Sequence, residues 1–152
     1  MKYFTKELSW MINDKDQQEE ADRRWAENCK AYRAYLESIR GKLSKPLQTA
    51  FGCGEIYHDC VIQEIRIKPA NRKKKSLEIV LQDGDEQVML EMKDISSVQI
   101  DLQDFTYCIA GQLCWMYSEI EYLRGGKFRV SILFDLCNEM NVVFHSFRIS
   151  KN

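Results

Sequence analysis

The residues best suited to chemistry lie in the stretch GEIYHDCVIQEIRIKP, residues 54–69, where His58, Asp59 and Cys60 are adjacent. Imidazole, carboxylate and thiolate groups bind transition metals and transfer protons in enzymes. On a strand, neighbouring side chains point to opposite faces, so His58 and Cys60 are expected to share a face while Asp59 points away. Such a pair supplies at most two of the three or four ligands that a zinc site requires.

Residues that could complete a site with this triplet are distant in the sequence. The other histidine, His145, is near the end of the chain, and Cys53 or Cys137 could add further ligands. Cys60 and His145 would also form a candidate pair of nucleophile and base. Alternatively, Asp59 binds backbone amides in a turn before a strand, and the histidine beside it is satisfied nearby. The spacing favours this structural interpretation, and we predict no cofactor.

Other patterns add little support for catalysis. The sequence contains no Cys-x-x-Cys pair, no Gly-x-Ser-x-Gly elbow and no glycine-rich phosphate loop. The basic cluster NRKKKS, residues 71–76, has no flanking aromatics for base stacking, so a solvated loop between two strands is favoured over nucleic-acid binding. Glu119 and Glu121 are expected to share a strand face with Tyr117, without the fixed carboxylate separation that glycoside hydrolysis needs.

Composition describes an ordinary globular chain. Its 152 residues contain 22 basic and 23 acidic side chains, so a net charge of −1 gives no global attraction to nucleic acid or to an anionic membrane. No apolar run approaches the roughly 18 residues needed to span a bilayer. We therefore expect a cytosolic protein whose six cysteines are reduced thiols.

The N-terminal part, residues 1–45, has helical periodicity. Thr5 is a candidate cap for a first helix that breaks near Asn13, and a second helix is expected to end at Gly41. This segment is predicted to pack on a following sheet or to be swapped onto it. One stripe of the second helix is apolar and aromatic: Trp25, Cys29, Tyr32, Leu36 and Ile39. The stripe faces either the core of the same chain or a partner.

After a connector at residues 42–54, the periodicity becomes alternating, and residues 54–152 are predicted to form an antiparallel β-domain. Hairpin turns are expected at Gly84 and at Gly125-Gly126, and a polar turn at Asn138–Asn141 before one closing strand. The fold class is α+β, with N-terminal helices and a mostly antiparallel sheet or sandwich of six to seven strands. The first strand should place three side chains on one face: Val61, Ile65 and Ile67.

The opening MKYFTKELSWMIN resembles the M-x-Y-F-T-K-E-L start of a family of small uncharacterised proteins found mainly in Gram-positive bacteria, known as a domain of unknown function. The similarity extends to the HDC strand at residues 58–67 and to WMYSEIEYLRGGKF. The resemblance implies a helical N-terminus joined to an antiparallel β-domain, and it implies no activity. In size and layout the chain is also similar to bacterial immunity proteins that bind and neutralise toxins.

These observations predict a non-catalytic binding module, with a protein partner or with self-association through the N-terminal helices. The alternative is a metal- or thiol-dependent hydrolase centred on His58 and Cys60. A third hypothesis, nucleic-acid binding through Arg72–Lys75, requires affinity that falls with salt and is disfavoured.

Overall fold

The computed structural model describes residues 1–52, 56–69, 74–102, 112–135 and 138–151. Within these ranges three α-helices precede eight β-strands. The helices are α1 (Lys6–Ile12), α2 (Gln18–Ile39) and α3 (Lys45–Phe51), and the strands are β1 (Val61–Pro69), β2 (Lys75–Asp83), β3 (Glu86–Lys93), β4 (Ser97–Asp101), β5 (Trp115–Leu123), β6 (Lys127–Phe134), β7 (Asn138–Phe144) and β8 (Ser146–Lys151). None of the described helices is long and apolar enough to cross a membrane.

The strands form two antiparallel sheets of four. The first sheet has the order β1-β2-β3-β8, and the second has the order β4-β7-β6-β5. Their apolar faces belong to one hydrophobic cluster, which removes these side chains from water and supplies the main favourable term in folding. The predicted α+β class with N-terminal helices and antiparallel strands is confirmed. The central side chains of the cluster are Leu77, Ile79, Leu81, Leu90, Val130, Ile132, Met140 and Val142.

The chain passes between the two sheets at a corner centred on His145, where a single closing strand was predicted. His145 interrupts the expected closing strand, and its N–H donates to the Lys93 carbonyl at 3.1 Å, while Ser96 N–H donates to the Val143 carbonyl at 2.8 Å. The predicted turn at Asn138–Asn141 is wrong, because these residues begin β7 and pair with β6. The described strands number eight because the closing segment divides into β7 and β8.

The two predicted hairpins are confirmed, whereas the face of β1 needs one correction. Positive φ angles of 57°, 78° and 75° at Gly84, Gly125 and Gly126 allow the tight reversals. A register shift between Ile62 and Glu64 inverts the alternation in β1. Ile62 therefore pairs opposite the core residue Leu81, while Val61 lies opposite Gln82 and leaves the core face.

The first two helices follow the sequence pattern closely. Thr5 caps α1 by accepting a hydrogen bond from Leu8 N–H at 3.2 Å, and Asn13 ends that helix. The apolar stripe of α2 packs into the core of the same chain, as the cluster membership of Tyr32 and Leu36 shows. Helix α2 ends at Ile39 and continues into a 3-10 turn at Arg40–Lys42, so the predicted glycine cap lies inside this turn.

Helix α3 was not predicted, because its proline and nearby glycines resemble a connector. Pro46 stands in the first turn, where a missing N–H does not weaken the helix. Leu47, Ala50 and Phe51 are buried, and the helix packs on β8. The segment between the helical and β parts therefore contributes directly to the core.

Helix α2 also covers the outer edge of the second sheet. The Tyr32 hydroxyl accepts a hydrogen bond from Ile120 N–H at 2.8 Å, and the Tyr35 hydroxyl accepts one from Tyr122 N–H at 2.9 Å. Because β5 is the terminal strand of its sheet, no other strand within the described ranges binds these donors. The two tyrosines fix α2 along β5, and Tyr35 also reaches the outer face of this sheet.

Candidate functional site

The HDC triplet lies in a turn before β1 rather than within a strand. Asp59 has a left-handed φ of 66°, and its N–H donates to the Trp115 carbonyl at 2.8 Å. Trp115 N–H in turn donates to the Cys60 carbonyl at 2.9 Å, and an isolated bridge joins Val61 to Cys114. The turn therefore connects the start of β1 in the first sheet to the start of β5 in the second.

His58 and Asp59 contact each other, contrary to the expectation that their side chains diverge. His58 Nδ1 lies 2.9 Å from Asp59 Oδ2, and the imidazole ring meets Tyr117 edge-on at a centroid distance of 5.1 Å. Strand alternation does not apply here, because a turn orients its side chains individually. The pair resembles the orienting contact of a catalytic histidine, but Asp59 is largely exposed.

The thiols beside this turn are unsuited to nucleophilic attack. Cys60 and Cys114 are both buried. Burial raises the pKa of Cys60 to about 11, and the nearby negative charges of Asp83 and Asp59 add to the increase. Burial also raises the pKa of Cys114, with Asp135 contributing next. At neutral pH both thiols are protonated, and the thiolate is the reactive form.

The structure does not bring His145 to the other candidates. His145 directly follows the last residue of β7. That residue is aligned, across β6, with Tyr122 of β5. His58, by contrast, contacts Tyr117 of β5. Five residues of strand separate these positions, which is about 16 Å at a rise of roughly 3.3 Å per residue. The pairing of Cys60 with His145 is therefore not formed.

Two cysteines considered as further ligands, Cys53 and Cys137, lie outside the described residues. Within the described ranges, no three His, Cys, Asp or Glu side chains are grouped so that they could hold a metal ion. A metal or catalytic role for His58 and Cys60 stays a prediction.

The basic loop lies between β1 and β2, as expected. Pro69 and Lys75 pair across it, and Lys74 Nζ lies 2.6 Å from Asp94 Oδ2. The preceding residues 70–73, which hold Arg72 and Lys73, lie outside the described part of the chain. The pairing of Lys74 leaves less positive charge for a phosphate than the sequence alone indicates.

A groove of about 610 Å³ lies on the outer face of the second sheet. Its floor is a row of polar side chains that strand pairing sets side by side, since Glu119 lies opposite Ser131, Ser131 opposite Asn141, and Asn141 opposite Gln99. The next row on the same face consists of Glu121, Arg129, Val143 and Ser97. We call this cavity the outer groove.

One wall of the outer groove is the N-terminal segment, which Glu119 holds in place. The Glu119 carboxylate accepts three backbone hydrogen bonds, from Lys2 N–H at 2.8 Å, from Tyr3 N–H at 2.6 Å and from Phe4 N–H at 2.7 Å. Glu119 is only 7% exposed, so the three donors replace the water that the charged group loses. Tyr35 of α2 stands beside Tyr3, with 6.5 Å between the ring centroids, and extends this wall.

Part of the polar lining is already used by the fold. Ser131 Oγ donates to Asn141 Oδ1 at 2.5 Å, and Arg129 Nη1 lies 2.9 Å from Glu121 Oε2. Ser97 and Gln99 are exposed, and their side chains form no hydrogen bond with any residue in the described ranges. The outer groove therefore combines a structured floor with polar groups that remain open to a ligand.

Sequence reasoning identified only two members of this site. The shared strand face of Glu119 and Glu121 is confirmed by their pairing with β6. Most of the other lining residues come from three other strands, from the N-terminal segment and from Tyr35 of α2, and no short motif joins them. A polar residue at every second position of several strands is the signal that could have indicated the face.

Comparison with known families gives a match to the profile described as "Protein of unknown function (DUF4085)", over residues 2–146. The chain belongs to the DUF4085 family. The expected membership of a domain of unknown function is thus confirmed, and the match includes both the HDC turn and the outer groove of this DUF4085 chain. A comparison with curated proteins found no match.

Proposed function

We propose that this DUF4085 chain is a non-catalytic binding module that holds a segment of a partner protein in the outer groove. The observation that carries the proposal is the groove itself. Its volume of about 610 Å³ is typical of ligand sites, which span roughly 300–1,000 Å³. Exposed side chains such as Gln99 and Ser97 line it, and they form no hydrogen bond within the part of the chain that the structure describes.

The placement of the helices favours the outer groove, and not the apolar stripe of α2, as the binding surface. The stripe of α2 that could have served self-association is packed into the core of its own chain through Tyr32, Leu36 and Ile39. A partner that used this stripe would have to displace α2 and expose the edge of β5. The outer groove is open without any such rearrangement.

The hydrolase alternative has weaker support. A thiol-dependent enzyme needs a nucleophile with a depressed pKa, whereas the pKa of Cys60 is raised to about 11 by burial. The distance along the second sheet between His145 and the HDC turn also argues against His145 as the base for Cys60. An immunity-like protein that neutralises its target by binding fits these features better than an enzyme does.

Affinity capture with a variant that fills the groove tests this proposal. Gln99→Trp places an indole on the floor of the outer groove at an exposed strand position, where an aromatic residue is well tolerated. The matched control is Gln63→Trp, an exposed glutamine of β1 outside the groove. We expect the parent and Gln63→Trp to retain the same protein while Gln99→Trp loses it. Thermal unfolding of all three variants checks that the fold is intact.

Equal capture by the parent and both variants would remove the outer groove from the proposal. A captured protein that proves to be a second copy of the chain is tested by its mass in solution. In that case Gln99→Trp is expected to be monomeric and Gln63→Trp to associate like the parent.

A further inference from the structure

Building on the proposed function, we infer that the outer groove selects a partner segment that carries an acidic side chain, and that Lys2 and Arg129 bind its carboxylate. The inference names the chemistry of the occupant, which the proposed function leaves open. It follows from which hydrogen-bonding groups of the groove are already paired.

The two carboxylates of the groove are occupied, and so are the donors of Ser131 and Asn141, whereas its two cations keep unused N–H donors. Both oxygens of Glu119 accept backbone N–H groups, and Glu121 accepts from Arg129. A guanidinium has five N–H donors, and in the described part of the chain only Nη1 of Arg129 is used. The groove therefore offers an excess of donors, which an anionic acceptor satisfies best.

Lys2 supplies the second cation, and the fold determines where it stands. Its backbone N–H is bound to Glu119, and its Nζ lies 5.0 Å from the centroid of the Tyr3 ring. A contact with an aromatic ring orients an ammonium group without using its N–H donors. Among the described residues, Lys2 Nζ has no hydrogen-bond acceptor, so all three donors can bind a ligand.

The negative charge of Glu119 does not compete for this cation. Its carboxylate faces the backbone amides of Lys2, Tyr3 and Phe4, whose dipoles stabilise it locally. Glu121 is exposed and already paired with Arg129. A carboxylate entering the groove thus meets two cations with free donors and two anions that are already bound.

Fluorescence anisotropy with matched peptide pools tests the inference. Three labelled decapeptide pools share the same randomised flanks and differ only in a central Glu, Gln or Lys. The parent is expected to bind the Glu pool about tenfold more tightly than the Gln pool, and the Lys pool least. In Lys2→Gln combined with Arg129→Gln, the ratio of Glu-pool to Gln-pool affinity should fall below about twofold. Lys15→Gln, an exposed lysine outside the groove, should behave like the parent.

The outcomes separate this inference from the proposed function. If the parent binds the Glu and Gln pools equally and Gln99→Trp abolishes both, the groove binds protein segments but the inference is wrong. If the double variant retains the parent's preference for Glu, Lys2 and Arg129 do not bind the carboxylate, and the inference is again overturned. If no pool binds and affinity capture also fails, the proposed function falls together with the inference.

Discussion

The anchoring of the N-terminal segment by Glu119 gives a sharp prediction about stability. Glu119→Gln keeps the shape of the side chain but replaces one acceptor oxygen by an NH2 donor. The amide oxygen can still accept from Tyr3 and Phe4, now without the strength of an ionised acceptor. The amide nitrogen then faces Lys2 N–H, and two donors cannot bind each other.

Two opposing effects determine the size of the loss. A hydrogen bond to a charged group contributes about 1.5–3 kcal/mol, against roughly 1 kcal/mol for a neutral one, so weakening two bonds and losing a third costs about 3 kcal/mol. Removing a buried charge recovers part of its desolvation penalty. Because the Glu119 carboxylate accepts from three N–H donors, the lost bonds outweigh this gain, and we expect Glu119→Gln to lower the free energy of unfolding by about 2 kcal/mol. Glu119→Ala, which leaves the buried Phe4 N–H without an acceptor, should lower it by about 3 kcal/mol.

Urea denaturation of the parent, Glu119→Gln and Glu119→Ala measures these losses, and the corresponding fall in Tm for the Gln variant is about 4–8 °C. The control is Glu121→Gln, two residues along the same face, where an exposed ion pair contributes less than about 1 kcal/mol. A loss below about 0.5 kcal/mol for Glu119→Gln, or an equal loss for Glu121→Gln, would refute the assignment of Glu119 as the anchor.

Two further predictions concern the HDC turn. Glycine at position 59 relieves the left-handed backbone, so Asp59→Gly should unfold at the same urea concentration as the parent or higher, and Asp59→Ala should lose about 1 kcal/mol; equal behaviour of the two variants would contradict this. The pKa of Cys60 is about 11 in the folded chain against an ordinary 9.0, so its stabilising contribution is complete below pH 9 and is lost as the pH rises towards 11. Urea midpoints between pH 7 and 11 should therefore fall more steeply for the parent than for Cys60→Ala, and parallel curves would show that this thiol is not protected.

The local elements were largely predictable, because they depend on nearest-neighbour patterns. The hairpin with Gly84 at its turn and the Thr5 cap follow from turn and capping chemistry that is encoded within a few residues. Val61 was assigned to the wrong face because a bulge adds one residue without changing the composition of the strand. The prediction of a turn at Asn138–Asn141 was wrong because the polar residues there alternate with Met140 and Val142. That alternation is the pattern of a half-buried strand.

The candidate site was much less predictable than the fold. Glu119, Ser131, Asn141 and Gln99 become neighbours only through the order and register of four strands. In the second sheet β4 pairs with β7, although β3 and β5 are its neighbours in the sequence. No local sequence pattern indicates this pairing. The HDC triplet was a candidate site because of its residue types alone. In the structure, backbone hydrogen bonds of this turn join the two sheets.

The hydroxyl groups with which α2 covers β5 have a consequence for aggregation. Whenever α2 detaches, a nine-residue strand exposes backbone donors and a row of apolar side chains at the edge of a sheet. Such an edge is a template onto which a strand of another molecule can add, and repeated addition leads to fibrils. Tyr32 and Tyr35 thereby protect the chain against aggregation. Any mutation that loosens α2 increases the fraction of molecules with an exposed β5 edge, from which insoluble aggregates grow.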